Sequence, residues 1–136
     1  MAKAVGRLKQ RSEFLRVAAA RRKWVAPGLV LQACERPGDA AGGAPRVGFT
    51  ATRKIGGAVE RNRVRRRLRA VAASVMPRLA AAGWDYVIVA REAALTRPFE
   101  ALLDDLSTAL VRVTRRGPSP PGRRQPVPAT QEREGP

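Results

Sequence analysis

Arg53-Lys54-Ile55-Gly56-Gly57-Ala58-Val59-Glu60-Arg61-Asn62-Arg63-Val64-Arg65-Arg66-Arg67-Leu68-Arg69 carries eight cationic side chains among 17 residues, and one acid, Glu60. The glycine pair interrupts what precedes it, and a helix is predicted from about Ala58 to Met76. Val64, Leu68, Val71 and Val75 recur at i, i+4, i+7 and i+11, which lays one continuous apolar stripe along that helix. At ~100° per residue, Asn62, Arg66 and Arg69 fall nearly opposite the stripe. Arg63 and Arg65 flank them, and Arg61 and Arg67 lie at the margins. Helix formation therefore sorts the charge onto one solvent face. Pro77 is expected to end or kink the helix.

No acid appears between Arg61 and Met76. Three arginine pairs at helical spacing, Arg61/Arg65, Arg65/Arg69 and Arg63/Arg67, repel one another. A face that serves solubility alone intersperses both signs. So dense a set of planar guanidinium forks, with Arg53 and Lys54 just ahead of the helix, points to a polyanion gripped by its phosphates. Asn62 both donates and accepts, so it can read a base edge or a 2′-hydroxyl. An anionic lipid surface fits less well, because the apolar stripe is needed for the core.

The whole chain has the same bias. Its 136 residues suit one domain, and 27 Lys and Arg against 11 Asp and Glu give a net charge of +16, a field that attracts nucleic acid. A hydrophobic fraction of 44% is enough for a packed core. No apolar run approaches the ~20 residues that span a bilayer, and the N-terminus lacks the apolar core of a signal peptide, so a cytoplasmic protein is expected. Histidine is absent and Cys34 is the single cysteine. This removes His-based acid–base schemes, internal disulfides and cysteine zinc clusters. Any reactive centre is expected to lie outside this chain. Asp104-Asp105 diverge by ~100° on a helix and read as solvated surface rather than a metal site.

Around the basic helix the pattern is αββαβα. A first helix is predicted from Ser12, as cap, to about Ala20, with Glu13 at its positive end. Leu29 to Cys34 alternates as a strand, with Leu29, Leu31 and Ala33 on one face and Val30, Gln32 and Cys34 on the other. Residues 36–45 form a loop, and Arg46 to Arg53 a second strand, expected to pair antiparallel with the first. Trp84 to Ala90 is a strand buried on both faces. After Thr96 and Pro98, a last helix sets Phe99, Leu102, Leu103, Leu106, Leu110 and Val113 on one face. The fold class is α+β: a two-layer sandwich, a small sheet with helices on one face. The other face, with Val30, Gln32, Gly48, Thr50 and Thr52, is expected to be half-polar and accessible. Residues 1–11 are expected to be a flexible basic N-terminus, 12–116 the α/β domain that binds the polyanion, and 117–136 a disordered Pro-, Gly- and Arg-rich tail. Phe49 and Trp24 read as core and partly buried anchor, and Cys34 as a small strand residue.

Residues 46–69, with the series Arg46-Val47-Gly48-Phe49-Thr50 and Gly56-Gly57-Ala58-Val59-Glu60-Arg61-Asn62-Arg63, resemble the signature of the protein subunit of bacterial ribonuclease P. Arg11-Ser12-Glu13-Phe14-Leu15 resembles that family's first helix, and Trp84-Asp85-Tyr86-Val87-Ile88-Val89-Ala90-Arg91 its last core strand. The likeness covers roughly residues 7–113. It implies a left-handed βαβ crossover around the basic helix, a feature shared with a ribosomal protein domain. It implies that the protein assists a catalytic RNA whose Mg2+ ions activate water to cleave precursor tRNA and leave a mature 5′ end. The implied partners are that catalytic RNA and precursor tRNA, with neither DNA nor a membrane. By matching position, Arg53, Lys54, Arg61, Asn62, Arg63, Arg65, Arg66, Arg67 and Arg69 are the implied RNA contacts. Phe14, Val30, Gln32, Thr50, Thr52 and Arg91 are the implied cleft for the single-stranded 5′ leader. No catalytic residue or metal ligand is implied in this chain. Ala18 and Gln32 stand where many members carry aromatics, so base stacking in the cleft is expected to be weaker, each such stack being worth ~1–3 kcal/mol. Gly57 and Ala70 replace a frequent asparagine and a frequent acid, changes expected to act on local capping. A non-enzymatic RNA-binding protein, a DNA-binding nucleoid protein and a self-sufficient nuclease are the rival readings.

Overall fold

The structure, a computed structural model, describes residues 5–36 and 43–115; the tail over 117–136 and the loop residues 37–42 lie outside the described residues. The elements are β1 (Gly6–Arg7), α1 (Arg11–Ala19), β2 (Arg22–Val25), β3 (Leu29–Glu35), β4 (Arg46–Thr50), α2 (Ala58–Leu79), β5 (Trp84–Ala90) and α3 (Phe99–Arg115). The strands form one sheet in the order β1-β4-β5-β3-β2.

The apolar run Trp84–Ala90 takes the middle of the sheet. Along β5 only Val89 escapes full burial. β5 lies antiparallel to β3 and parallel to β4. The expected pairing of β3 with β4 is therefore overturned, because β5 inserts between them. A strand that is apolar on both faces gains most where both edges are paired and both faces are covered. The chain returns from α2 parallel to β4, which makes the β4-α2-β5 segment a crossover.

Alternation in β3 holds as read. Leu29, Leu31 and Ala33 are buried on the same face as Val47, Tyr86 and Ile88, in one core cluster. α2 lays Val64, Leu68, Val71 and Val75 onto that face. α3 adds Leu102, Leu106, Leu110 and Val113, while Phe99, its first residue, is exposed and Leu103 is half-buried. The first helix departs from the expected plan. α1 packs on the opposite face, where Val17 meets Leu8 and Val87 in a second, small cluster with Phe14, Cys34 and Val89 at its edge.

Several boundaries differ from expectation, each for a local reason. β4 stops at Thr50, because the Thr52 side chain accepts a hydrogen bond from the Lys54 N–H (3.3 Å) and starts a 3-10 turn over Arg53–Ile55. α2 runs through Pro77 to Leu79. The bond that Pro77 cannot donate belongs to the carbonyl of Ala73, an exposed residue where water can substitute. Ser12 does not cap α1. Instead Oε1 of Glu13 accepts from the N–H groups of Lys9 (2.9 Å) and Gln10 (3.0 Å). The stretch expected to be flexible contains β1, paired parallel to β4, and buries Leu8. β2 follows α1 without a glycine signal: Arg21 adopts φ 60 just past the helix, a conformation glycine usually supplies.

Candidate nucleic-acid interface

Gly56 has φ 144, a region strained for any side chain, and a Cβ there would stand 2.9 Å from Cβ of Glu60. The turn from the 3-10 segment into α2 therefore requires this glycine. Gly57 caps the helix with extended backbone (φ −80), and its N–H donates to Glu60 Oε1 at 2.9 Å. The one acid of the motif is thus spent on the positive helix end and leaves the arginine face unneutralised.

Arg53, Lys54, Asn62, Arg63, Arg66 and Arg69 are all exposed, as is Ala70. Arg61 donates to the Gly56 carbonyl at 3.0 Å, and Arg65 to Oδ1 of Asn62 at 3.3 Å, so both are half-buried supports of the same ridge. Arg67 departs from it. Its guanidinium donates to the carbonyls of Ala94 and Arg97 and pins α2 to the segment that precedes α3. Arg67, expected at the margin of the cationic face and among the implied RNA contacts, is half-buried instead: the margin position brings it within reach of two backbone acceptors that α2 alone does not supply.

On the sheet face opposite α2, register brings Gly48, Val87 and Gln32 into one row and Thr50, Val89 and Val30 into the next. α1 covers the end nearer Asp85. Phe14 lies against Gly48, where an added Cβ would come within 2.5 Å of its ring. Thr50, Val30 and Gln32 are half-buried, and Thr52 is exposed where the chain leaves β4 for the ridge. Arg91, half-buried after β5, donates to the carbonyl of Ala26 at 2.9 Å. Phe14, Val30, Gln32 and Thr50 are thus brought onto one face, with Thr52 and Arg91 at its open end. Val89 belongs to that floor by the parity of β5, a signal the sequence contained. Lys23 and Val25 border it through β2, which no sequence signal marked.

Asp85 is the residue whose role sequence reasoning missed. It is fully buried and receives Arg46 through a fork of 2.9 and 2.8 Å, Arg36 at 2.6 Å, and Arg16. Burial by itself pushes its carboxyl up; the hydrogen bonds from Arg46 and Arg36 outweigh this and hold it below the ordinary carboxylate value. Glu13 is also held low, by the N–H groups of Gln10 and Lys9, and it meets Arg46 at 3.2 Å. Asp105, read as solvated, is buried: Arg97 grips it at 2.7 and 3.0 Å, and the Gly28 N–H donates to it at 3.1 Å. Asp104 is exposed. Cys34 is half-buried and accepts a hydrogen bond from Arg16 at 3.3 Å.

These carboxylates do not suit magnesium, which takes oxygen ligands still open to the ion and its waters. Asp85 and Asp105 are saturated by arginine, and among the described residues no group of three or more His, Cys, Asp or Glu gathers at metal-binding range. No helix among the described residues is long and apolar enough to cross a membrane.

An outward arginine ridge that continues into a half-open sheet face defines a nucleic-acid-binding protein of α+β structure. The sequence profile of the family described as Ribonuclease P matches residues 2–114. The ribonuclease P protein component of Paramagnetospirillum magneticum is 54% identical over 114 residues, 83% of this chain and 86% of its own length. That of Ruegeria pomeroyi is 48% identical over 104 residues, 76% and 82% of the two chains. The ribonuclease P protein of Thermotoga maritima shares the fold with a TM-score of 0.65 at 23% identity, over 79% of this chain and 96% of that one. The Staphylococcus aureus protein does so at 0.65 and 21%, over 79% and 94%. The chain belongs to the bacterial ribonuclease P protein component family. It is accordingly an RNA-binding subunit of a ribonucleoprotein endoribonuclease whose RNA is catalytic.

Proposed function

We propose that the α2 ridge binds the catalytic RNA and that the uncovered sheet face holds the 5′ leader of precursor tRNA. The contacts on the RNA are Arg53, Lys54, Asn62, Arg63, Arg66 and Arg69, with Arg61 and Arg65 supporting them. The leader lies beside Phe14 on the floor formed by Val30, Gln32 and Thr50, with Thr52 and Arg91 at the mouth. The observation that carries this reading is continuity: the chain runs from Thr50 in the floor through Thr52 to Arg53 and the ridge within one short turn. One extended substrate and one RNA scaffold can therefore be held side by side.

Magnesium, when bound, supplies the activated water and is held mainly by the RNA; the residues of this chain bind, orient and neutralise. The work is assigned to the cytoplasm, with precursor tRNA and the catalytic RNA as partners. We assign RNA binding to the unit of residues 12–116, with β1 and Leu8 packed onto it. Reconstitution with a bacterial catalytic RNA at low magnesium tests the proposal. The chain should raise precursor-tRNA cleavage, and no gain would refute it.

A further inference from the structure

α1 has little apolar surface with which to hold its place. Val17 is its one fully buried residue, Phe14 is half-buried and Leu15 is exposed. Beneath it the cluster of Leu8, Val17 and Val87 is small. Apolar contact is non-directional, so such a cluster permits sliding and rolling. Charge supplies the direction. Glu13 and Arg16 stand three residues apart, on one helix face. Glu13 meets Arg46 at 3.2 Å, and Arg16 meets Asp85. Arg46 and Asp85 are themselves joined by two bonds. The two pairs have opposite polarity. A shift that carries Glu13 towards Asp85, or Arg16 towards Arg46, brings like charges together and is penalised. Arg36, donating to Asp85 at 2.6 Å and to the Ala44 carbonyl at 2.8 Å, fixes the carboxylate to the loop beside it.

We propose that Glu13, Arg46, Asp85 and Arg16 form a clamp that fixes α1 over the sheet and thereby sets the opening between Phe14 and the uncovered row Thr50, Val89 and Val30. Arg16 and Asp85 are positioning residues: they need not touch the leader, but they hold the wall that does. The proposal rests on the reading of that face as the leader site.

Arg16→Met and Glu13→Gln test it in the reconstituted holoenzyme. Both side chains are partly exposed, at 37% and 23%, so folding is less at stake than with the fully buried Asp85. Two precursor tRNAs are compared, one with a long leader and one with a single-nucleotide leader. For the long leader, KM should rise about fivefold or more, the least expected from losing one base stack. For the single-nucleotide leader, KM should stay within about twofold, as should affinity for the catalytic RNA. Arg16→Lys, which keeps the cation, should recover most of the loss. Unchanged KM for the long leader in both variants, or equal losses on both substrates, overturns the clamp. A wild-type holoenzyme that treats the two substrates alike overturns the leader reading itself, and the clamp with it.

Discussion

Replacing Arg63, Arg66 and Arg69 together with alanine removes three exposed guanidinium groups that make no hydrogen bond or ion pair among the described residues. Each phosphate contact contributes a slope of roughly −0.7 to −0.9 to the log–log dependence of affinity on salt, so the triple variant should be less steep by about 2–3. Between ~50 and ~200 mM salt, each contact accounts for about a threefold loss of affinity, and three together for roughly 20–40-fold. The wild type should lose that much more than the variant over the same range. Titration of labelled catalytic RNA at both salts reads the difference directly. Folding should be nearly unchanged, within about 0.5 kcal/mol, because the replaced side chains contact water. Arg67→Ala is the internal control. It removes a pin to the carbonyls of Ala94 and Arg97, so the melting temperature should fall while the salt slope holds. An unchanged slope in the triple variant, or a flattened one in Arg67→Ala, would refute the division of the helix into ridge and pin.

Leu68→Ala should cost ~2–5 kcal/mol in denaturant titration, since its side chain is 1% exposed in the core and leaves a cavity. Gly48→Ala should destabilise by ~1–3 kcal/mol, because a Cβ 2.5 Å from the Phe14 ring must displace it; a KM unchanged for leader-bearing substrate would show that Phe14 does not line the leader site. Asp85 and Glu13 are both held below their ordinary values. Their contribution to stability is therefore fully present above the unfolded carboxylate range near ~4, and is lost as pH falls through the lower folded values. Melting temperature measured against pH should drop in that window. Asp85→Asn should be less stable at neutral pH, where three arginines lose their anion, and should show a shallower acid limb.

What could be read from residue order is what depends on near neighbours. The stripe of Val64, Leu68, Val71 and Val75, and the arginines opposite it, follow from a helical period closed by bonds between residues four apart. The alternation at Leu29, Leu31 and Ala33 is equally local. Gly56 marked its turn because a positive φ is a property of one residue. The cationic helix face was legible for these reasons, and the open sheet face followed from strand parity. β1 and β2 escaped notice because two- and four-residue strands have too short a pattern, and Arg21 turns the chain without a glycine. The partnership of β5 with both β3 and β4 is invisible in a list of strands, since any strand edge can bond any other.

The one-dimensional message thus supplied the periods, the charge and the turns: a helix with one dry and one cationic side, strands with one dry face, and no histidine for chemistry of its own. Assembly in three dimensions settled the partners. It turned Arg67 from the ridge to two distant carbonyls and buried Asp105 against Arg97. It also gathered Arg16, Arg36 and Arg46 around Asp85, from segments 39 to 69 residues away. Helical hydrogen bonds close within one turn and leave a periodic trace, whereas ion pairs and sheet neighbours join residues whose separation along the chain carries no period to read.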